Sequence, residues 1–147
     1  TTIWQLLMAL LKYLEGAETG ASIPFDSLLD NLPYNEQGLI AAIAQDATSR
    51  QVLMLAWMDR TAIERTIDEG QVWYFSRSRN TYWRKGESSG HTQQLISMAF
   101  DCDGYAVLLE VNQTGPACHT NRSHCFYLQV QGQQVVVTSD PVGSNTP

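Results

Sequence analysis

Three cysteines, Cys102, Cys118 and Cys125, stand in polar, turn-rich or charged surroundings that a merely buried cysteine does not need. The first lies in Asp101-Cys102-Asp103-Gly104, and the others bracket Cys118-His119-Thr120-Asn121-Arg122-Ser123-His124-Cys125. Thiolates, imidazoles and carboxylates are thus gathered in the last third of the chain. Three thiolates with one coordination position left for water suit a catalytic zinc ion, whereas structural zinc sites usually close with a fourth protein ligand.

Ordinary burial competes with that reading, because a free cysteine often behaves as a small hydrophobe. A disulfide framework normally uses an even number of cysteines in a secreted chain, and three leave one over, so a reducing, cytoplasmic setting is expected. The spacing is not the repeated C-x-x-C of a zinc ribbon, and spacing alone leaves ligation and burial both open. The flanking residues favour ligation.

A chain of 147 residues is about the length of one domain and can bury one sizeable core. Its formal net charge of -6 argues against general affinity for nucleic acid or an anionic membrane. Positive charge is nevertheless concentrated: Arg77, Arg79, Arg84 and Lys85 are four of the nine basic side chains, and no acid interrupts residues 71–86. This marks a local anion site. The apolar run from Ile3 to Leu11 lacks the basic flank and cleavage pattern of a signal peptide, and it is too short to span a bilayer, which takes about 20 apolar residues. A packed or oligomerising helix is expected there.

Residues 16–22 read as a flexible linker leading to a short segment around Phe25 to Leu32. From Gly38 two apolar runs, 39–46 and 51–58, predict a buried hairpin. Asp59 is placed to cap a helix that ends at Gly70, with Ile63 and Ile67 on its inner face. A strand at 72–76 precedes a long polar loop that carries the basic segment and ends at His91. Strands at 94–100, 105–111, 126–131 and 134–138 complete a strand-rich α+β chain, a twisted sheet or pseudo-barrel with one central helix. The expected division is an N-terminal helical extension over 1–37, a catalytic domain over 38–140 and a mobile tail over 141–147.

The runs Trp83-Arg84-Lys85-Gly86-Glu87-Ser88-Ser89-Gly90-His91, Asp101-Cys102-Asp103-Gly104 and Gly115-Pro116-Ala117-Cys118-His119-Thr120 resemble, in this order, those of the phosphoribosyl-AMP cyclohydrolases of histidine biosynthesis. The resemblance extends from about Gly38 to Tyr127. It implies a homodimeric zinc enzyme that also needs magnesium, has metal sites at the subunit interface, and opens the adenine ring of its nucleotide substrate by adding water at C6. Zinc on Cys102, Cys118 and Cys125 would acidify that water, in parallel with the zinc deaminases that attack C6 of adenine.

On this resemblance His119 and His91 are the candidate proton carriers, with His119 favoured and His91 open to a phosphate-binding or turn-capping role instead. His124 is expected to face solvent. Asp101 and Asp103 would share one face of an extended segment, with the thiol on the other, and offer hard carboxylate oxygens to magnesium. A solvated acidic turn is the alternative. Arg77, Arg79, Arg84 and Lys85 are expected to hold the substrate's two phosphates. Trp83 would stack on the purine or anchor the loop on the core, and Ser88, Ser89, Thr120 and Arg122 would complete the lining.

The chain departs from the family pattern at Tyr105, where a third aspartate is expected, and at Asn121, where glycine is common. A phenol is a poor magnesium ligand, so weaker magnesium binding is expected unless a residue such as Glu110 substitutes. A repurposed zinc-binding paralogue that acts on or senses another purine nucleotide, and a structural zinc module that docks through its N-terminal helix, remain open at this stage.

Overall fold

The computed structural model describes residues 10–143. Most of the expected N-terminal helix therefore lies outside the described residues, but 10–15 are helical. Two short helices follow, α1 (Phe25–Asn31) and α2 (Arg60–Glu69). The strands are β1 (Ile40–Asp46), β2 (Val52–Met58), β3 (Trp73–Ser76), β4 (Thr81–Arg84), β5 (Gln93–Phe100), β6 (Ala106–Gln113), β7 (Leu128–Gln131) and β8 (Gln134–Val137). None of the described helices is long and apolar enough to cross a membrane.

The sequence patterns explain the first half well. Alternation in Ile40-Ala41-Ala42-Ile43-Ala44 buries Ile40, Ala42 and Ala44 on one face, as period-2 strands require. The β1–β2 turn is held by the Asp46 carboxylate, which accepts from Thr48 N and Ser49 N at 3.1 and 2.8 Å. Asp59 caps α2 by accepting from Ala62 N at 2.8 Å. Gly70 ends the helix at φ 72° and donates its N–H to Thr66 O, the left-handed stop expected of glycine.

β2, β1, β6 and β5 form one sheet in that order; β1 runs parallel to β6 and the other neighbours are antiparallel. β3–β4 and β7–β8 are separate two-stranded sheets. The sheets do not close into a pseudo-barrel, because β2 and β5 remain the edges of the main sheet. The β3 hairpin meets β5 through the Gln71–Gln94 bridge, the neighbouring hydrogen bonds Val72 N to Gln93 O and Leu95 N to Gly70 O, and the Tyr74 hydroxyl on the Gln93 side chain.

Three local expectations are corrected. The loop after Ser76 is interrupted by β4, whose Thr81, Tyr82, Trp83 and Arg84 pair with Ser76, Phe75, Tyr74 and Trp73. The first hairpin is buried on one face only: Leu55 in β2 is 48% exposed. On α2 the inward residues are Ala62, Ile63 and Thr66, while Ile67 faces outward at 43% exposure, since a helix of ten residues sitting on one sheet buries a single narrow stripe.

α1 carries Leu29 into the core, and Leu32 follows just beyond it; both are almost wholly buried beside Ile40, Met58 and Ile63. Tyr34 Oη donates to Leu29 O at 3.1 Å, and Arg60 on α2 pairs with Asp30 and, at 3.6 Å, with Asp26. The exposed ion pairs contribute little and the apolar burial contributes most. Leu29→Ala is expected to lower the unfolding free energy by about 2–5 kcal/mol, measured by chemical denaturation. A change below about 0.5 kcal/mol, the range of ordinary surface substitutions, would mean that this segment does not belong to the core.

Candidate active site

Two loops meet beside the β3–β4 hairpin. The first, residues 85–92, leaves β4 and folds back on itself, with Gly90 N donating to Gly86 O at 2.8 Å and Thr92 N to Gly90 O at 3.0 Å. Gly86 sits at φ 84°, and a Cβ on it would lie 2.4 Å from the backbone carbon of His91, so no side chain fits there. Gly115, at φ 70°, lets the His91 ring approach: a Cβ there would lie 2.6 Å from His91 Cδ2. The half-buried His91 imidazole is therefore seated against backbone from another loop.

The second loop, 115–125, runs from the end of β6 toward β7. Cys118 N donates to Arg122 O at 3.1 Å and Asn121 N to Cys118 O at 2.9 Å, which curls the chain between the two cysteines. Asn121 adopts φ 67°, the left-handed conformation that explains glycine at this place and that asparagine tolerates better than most residues. Cys125 N donates to Leu53 O at 2.7 Å and ties the loop to β2.

The Cys118 and Cys125 thiols are in hydrogen-bond contact, and Thr120 Oγ1 lies 3.0 Å from Cys118 Sγ. Burial pushes the Cys118 thiol up, but hydrogen bonds from Thr120 and Cys125 and the Lys85 ammonium outweigh it and leave Cys118 below the usual thiol value. Burial, reinforced by the Cys118 partner, pushes Cys125 up to about 11. Lys85 donates to Ala117 O at 2.6 Å and is pulled below the ordinary lysine value by burial, while the two thiols oppose that shift. Its ammonium thus belongs to the thiol pair as well as to the basic loop.

A cavity of about 390 Å³ opens between the two loops. Arg79, Trp83, Arg84, Lys85, Ser88, Ser89, His91, Cys118 and His119 all line it. Acid is represented in that wall by Glu87 alone, against three basic side chains. Cations, two imidazoles and a low thiol facing one space can hold an anionic ligand and move protons on it.

Several predicted residues stand elsewhere. Arg77 lies over Trp57, 4.6 Å from the ring centroid, and lines a different cavity. Arg122 does not line the main cavity; it donates to Ser139 O at 2.7 Å and stacks on Tyr127 at 4.0 Å, binding the segment after β8 to the cysteine loop. Near the start of the expected tail, Val142 N donates to Asn121 O at 2.7 Å. His124 is half-buried instead of solvent-facing, because its Nδ1 accepts the Phe126 N–H at 3.1 Å.

Cys102 is exposed on the turn between β5 and β6. This is a turn and not an extended segment, since an antiparallel pair must reverse there; Gly104 N donates to Asp101 O at 3.0 Å. As a result the ligand atoms of Asp101, Cys102 and Asp103 converge within 4.8 Å of one another. Neither Cys118 nor Cys125 joins that cluster, so the three sulfurs do not converge within this chain. Glu110 cannot stand in as a third carboxylate: it pairs with Arg50 and Ser97 four residues along β6 from Ala106, about 13 Å away at strand spacing.

Sequence reasoning missed Gln93, Gln113 and Tyr74. Tyr74 Oη donates to Gln93 Oε1 at 2.7 Å, Gln93 Nε2 to Gln113 Oε1 at 2.8 Å, and Gln113 Nε2 to His91 O at 3.3 Å. A polar glutamine inside an alternating strand gives no signal of burial; the one clue was the neighbouring apolar pattern.

Fold and site together define an α+β protein with a basic cavity walled by two imidazoles and the Cys118 thiol. The sequence model of phosphoribosyl-AMP cyclohydrolase matches residues 54–127. A phosphoribosyl-AMP cyclohydrolase of Halorhodospira halophila is 54% identical over 127 residues, spanning 86% of this chain and 89% of the relative. Phosphoribosyl-AMP cyclohydrolase 2 of Pseudomonas fluorescens is 55% identical over 129 residues, spanning 88% of each, and that of Dinoroseobacter shibae is 57% identical over 101 residues, spanning 69% of this chain and 85% of the relative. The chain belongs to the phosphoribosyl-AMP cyclohydrolase family.

The seat of His91 can be tested directly. Gly115→Ala is expected to cost about 1–3 kcal/mol of stability and to shift the His91 ring resonances in an NMR spectrum. Gly132→Ala, equally left-handed but facing open space, should leave those resonances in place. Unchanged resonances in Gly115→Ala would refute the packed seat.

Proposed function

We propose that this protein opens the adenine ring of 1-(5-phosphoribosyl)-AMP by adding water across the N1–C6 bond, the ring-opening step of L-histidine biosynthesis. The product is the formimino aminoimidazole carboxamide ribonucleotide. The observation that supports the reading most is the single cavity in which Arg79 and Arg84 face His91, His119 and Cys118. Water adds at C6, the N1–C6 bond breaks, and N1 leaves with a proton.

The chain's own residues divide that work. Arg79 and Arg84 offer guanidinium forks to phosphate oxygens. Trp83 presents an aromatic wall to the purine. His119, next to Cys118 in the cavity wall, takes the proton from the attacking water, and His91 is the second proton carrier. Lys85 offsets negative charge beside the thiols.

The donor set suits zinc: Cys118 and Cys125 are adjacent, partly buried and backed by hydrogen bonds, and thiolates are the soft ligands that zinc accepts. Zinc, when bound, would supply acidified water near neutral pH. Because Cys102 is exposed and distant from the other two sulfurs, the third ligand would come from a second copy of the chain, and the same turn would bring Asp101 and Asp103 as magnesium ligands. The proposed assembly is a cytoplasmic homodimer with shared sites.

Cys118→Ala should abolish ring opening, followed by the absorbance change on conversion of the substrate, and should release zinc. The shared site makes a sharper prediction. Neither Cys102→Ala nor Cys118→Ala alone should turn over, yet unfolding and refolding an equal mixture should restore roughly a quarter of wild-type activity, because half the random dimers regain one complete site. No recovery in dimers shown by mass spectrometry to be mixed would sink the shared site.

Tyr105 is 55% exposed beside the carboxylate turn, and its backbone N–H donates to the Asp101 carboxylate. Tyr105→Asp therefore adds a carboxylate without removing that hydrogen bond. The magnesium concentration at half-maximal rate is expected to fall by roughly tenfold; an unchanged midpoint would show that residue 105 lies outside the magnesium shell.

A further inference from the structure

The tip of the β3–β4 hairpin, residues 77–80, carries two arginines that part company. Arg79 lines the cavity with His91 and Cys118. Arg77 lines a second cavity of about 570 Å³ together with Gln37, Trp57, Ser76, Ser78 and Trp83. Trp83 is the residue that walls both. No acidic side chain lines the second cavity.

Its chemistry is that of an anion site with an aromatic floor. The Arg77 guanidinium carbon lies over Trp57, 4.6 Å from the ring centroid, and this contact leaves N–H groups to reach a bidentate acceptor. Ser76 and Ser78 add hydroxyls, and Gln37 adds an amide. Arg77 makes no ion pair with any acid among the described residues, and it is exposed. Phosphate is the anion whose geometry such a fork matches.

The substrate class proposed above has two phosphoribosyl arms on one purine, one at N1 and one at N9. A ligand with two phosphates at opposite ends fits two cationic cavities separated by one aromatic wall better than it fits a single basic pocket. We infer that the second cavity is a separate phosphate subsite for one phosphoribosyl arm, read by Arg77, while Arg79 and Arg84 hold the other arm and Trp83 carries the purine between them. This rests on the ring-opening reading for the identity of the ligand. It also gives a basis for specificity: a one-armed nucleotide fills only one of the two cavities and loses the contacts of the other.

The test compares Arg77→Met and Arg79→Met with wild-type protein, using the two-armed substrate and AMP as the one-armed probe. For the substrate, kcat/KM should fall by roughly tenfold to a hundredfold in each variant, the usual worth of a charge-assisted contact to phosphate. The inhibition constant of AMP should rise in only one of the two variants. Arg77→Lys should recover part of the loss, since charge remains but the fork does not. Equal weakening of AMP by both variants would place both arginines on one phosphate and overturn the inference. So would unchanged substrate kinetics in Arg77→Met, with a lowered melting temperature marking Arg77 as a packing residue on Trp57. A wild-type protein that opens no ring would sink the assigned reaction instead. The subsite is then judged by the same pattern in equilibrium-dialysis constants for the two nucleotides.

Discussion

A fully buried glutamine side chain holds this molecule's two working halves together. Gln93, at zero exposure, accepts from Tyr74 on β3 and donates to Gln113 on β6 and to Met54 Sδ on β2, while its backbone carbonyl accepts Val72 N–H at 3.0 Å. An amide in a dry core is costly unless its donors and acceptors are met, and losing one partner costs about 1–3 kcal/mol. The full set therefore defines one relative placement of the small hairpin and the main sheet. From Gln93 the chain of contacts reaches the 85–92 loop twice, through Gln113 to the His91 carbonyl and through Val72, whose own carbonyl accepts Lys85 N–H at 3.0 Å. The histidine and the lysine at the two ends of that loop are thus positioned from the same point.

What the sequence revealed and concealed follows from the range of the interactions. Asp59 and Gly70 marked α2 because a cap and a left-handed stop are local facts. β4 was hidden, since Thr81-Tyr82-Trp83-Arg84 is four residues long and polar at both ends, and its pairing partner lies only across a short turn. The parallel pairing of β1 with β6 joins residues 65 positions apart, as Ala41 with Ala106, and no local pattern encodes it. The motif residues Arg79, Trp83, Arg84, Ser88, Ser89, His91 and His119 do share one cavity, because the hairpin carries the first three and the two loops beside it carry the rest. Arg77 and Arg122 were grouped with them on charge and place in the motifs, and neither says which side of a turn a side chain takes.

Departures from a family pattern also need a backbone argument before they count as functional. Asn121 replaces a glycine at φ 67°, a conformation that asparagine tolerates, and its Nδ2 donates to Val142 O at 2.5 Å. The substitution keeps the turn and adds a tether. Tyr105 is different in kind, because it follows the turn on the solvent side and its side chain, not its backbone, differs from the pattern.

The placement of Cys102 depends on a part of the chain that lies outside the matched segment of the family model. Gly104 faces Pro33 Cδ at 3.2 Å and Leu32 Cδ2 at 3.3 Å as a Cβ would meet them, so the turn that presents Cys102 rests on the residues after α1. Those residues are in turn fixed by Leu29 and Leu32 in the core. Cys118 and Cys125 are fixed independently, through Cys125 N on Leu53 O and through Lys85. In the proposed dimer, then, each half of the metal site is set within its own protomer before the two meet. Groups ordered in advance lose little further freedom on association, so more of the binding free energy remains for holding the metal and the subunits together.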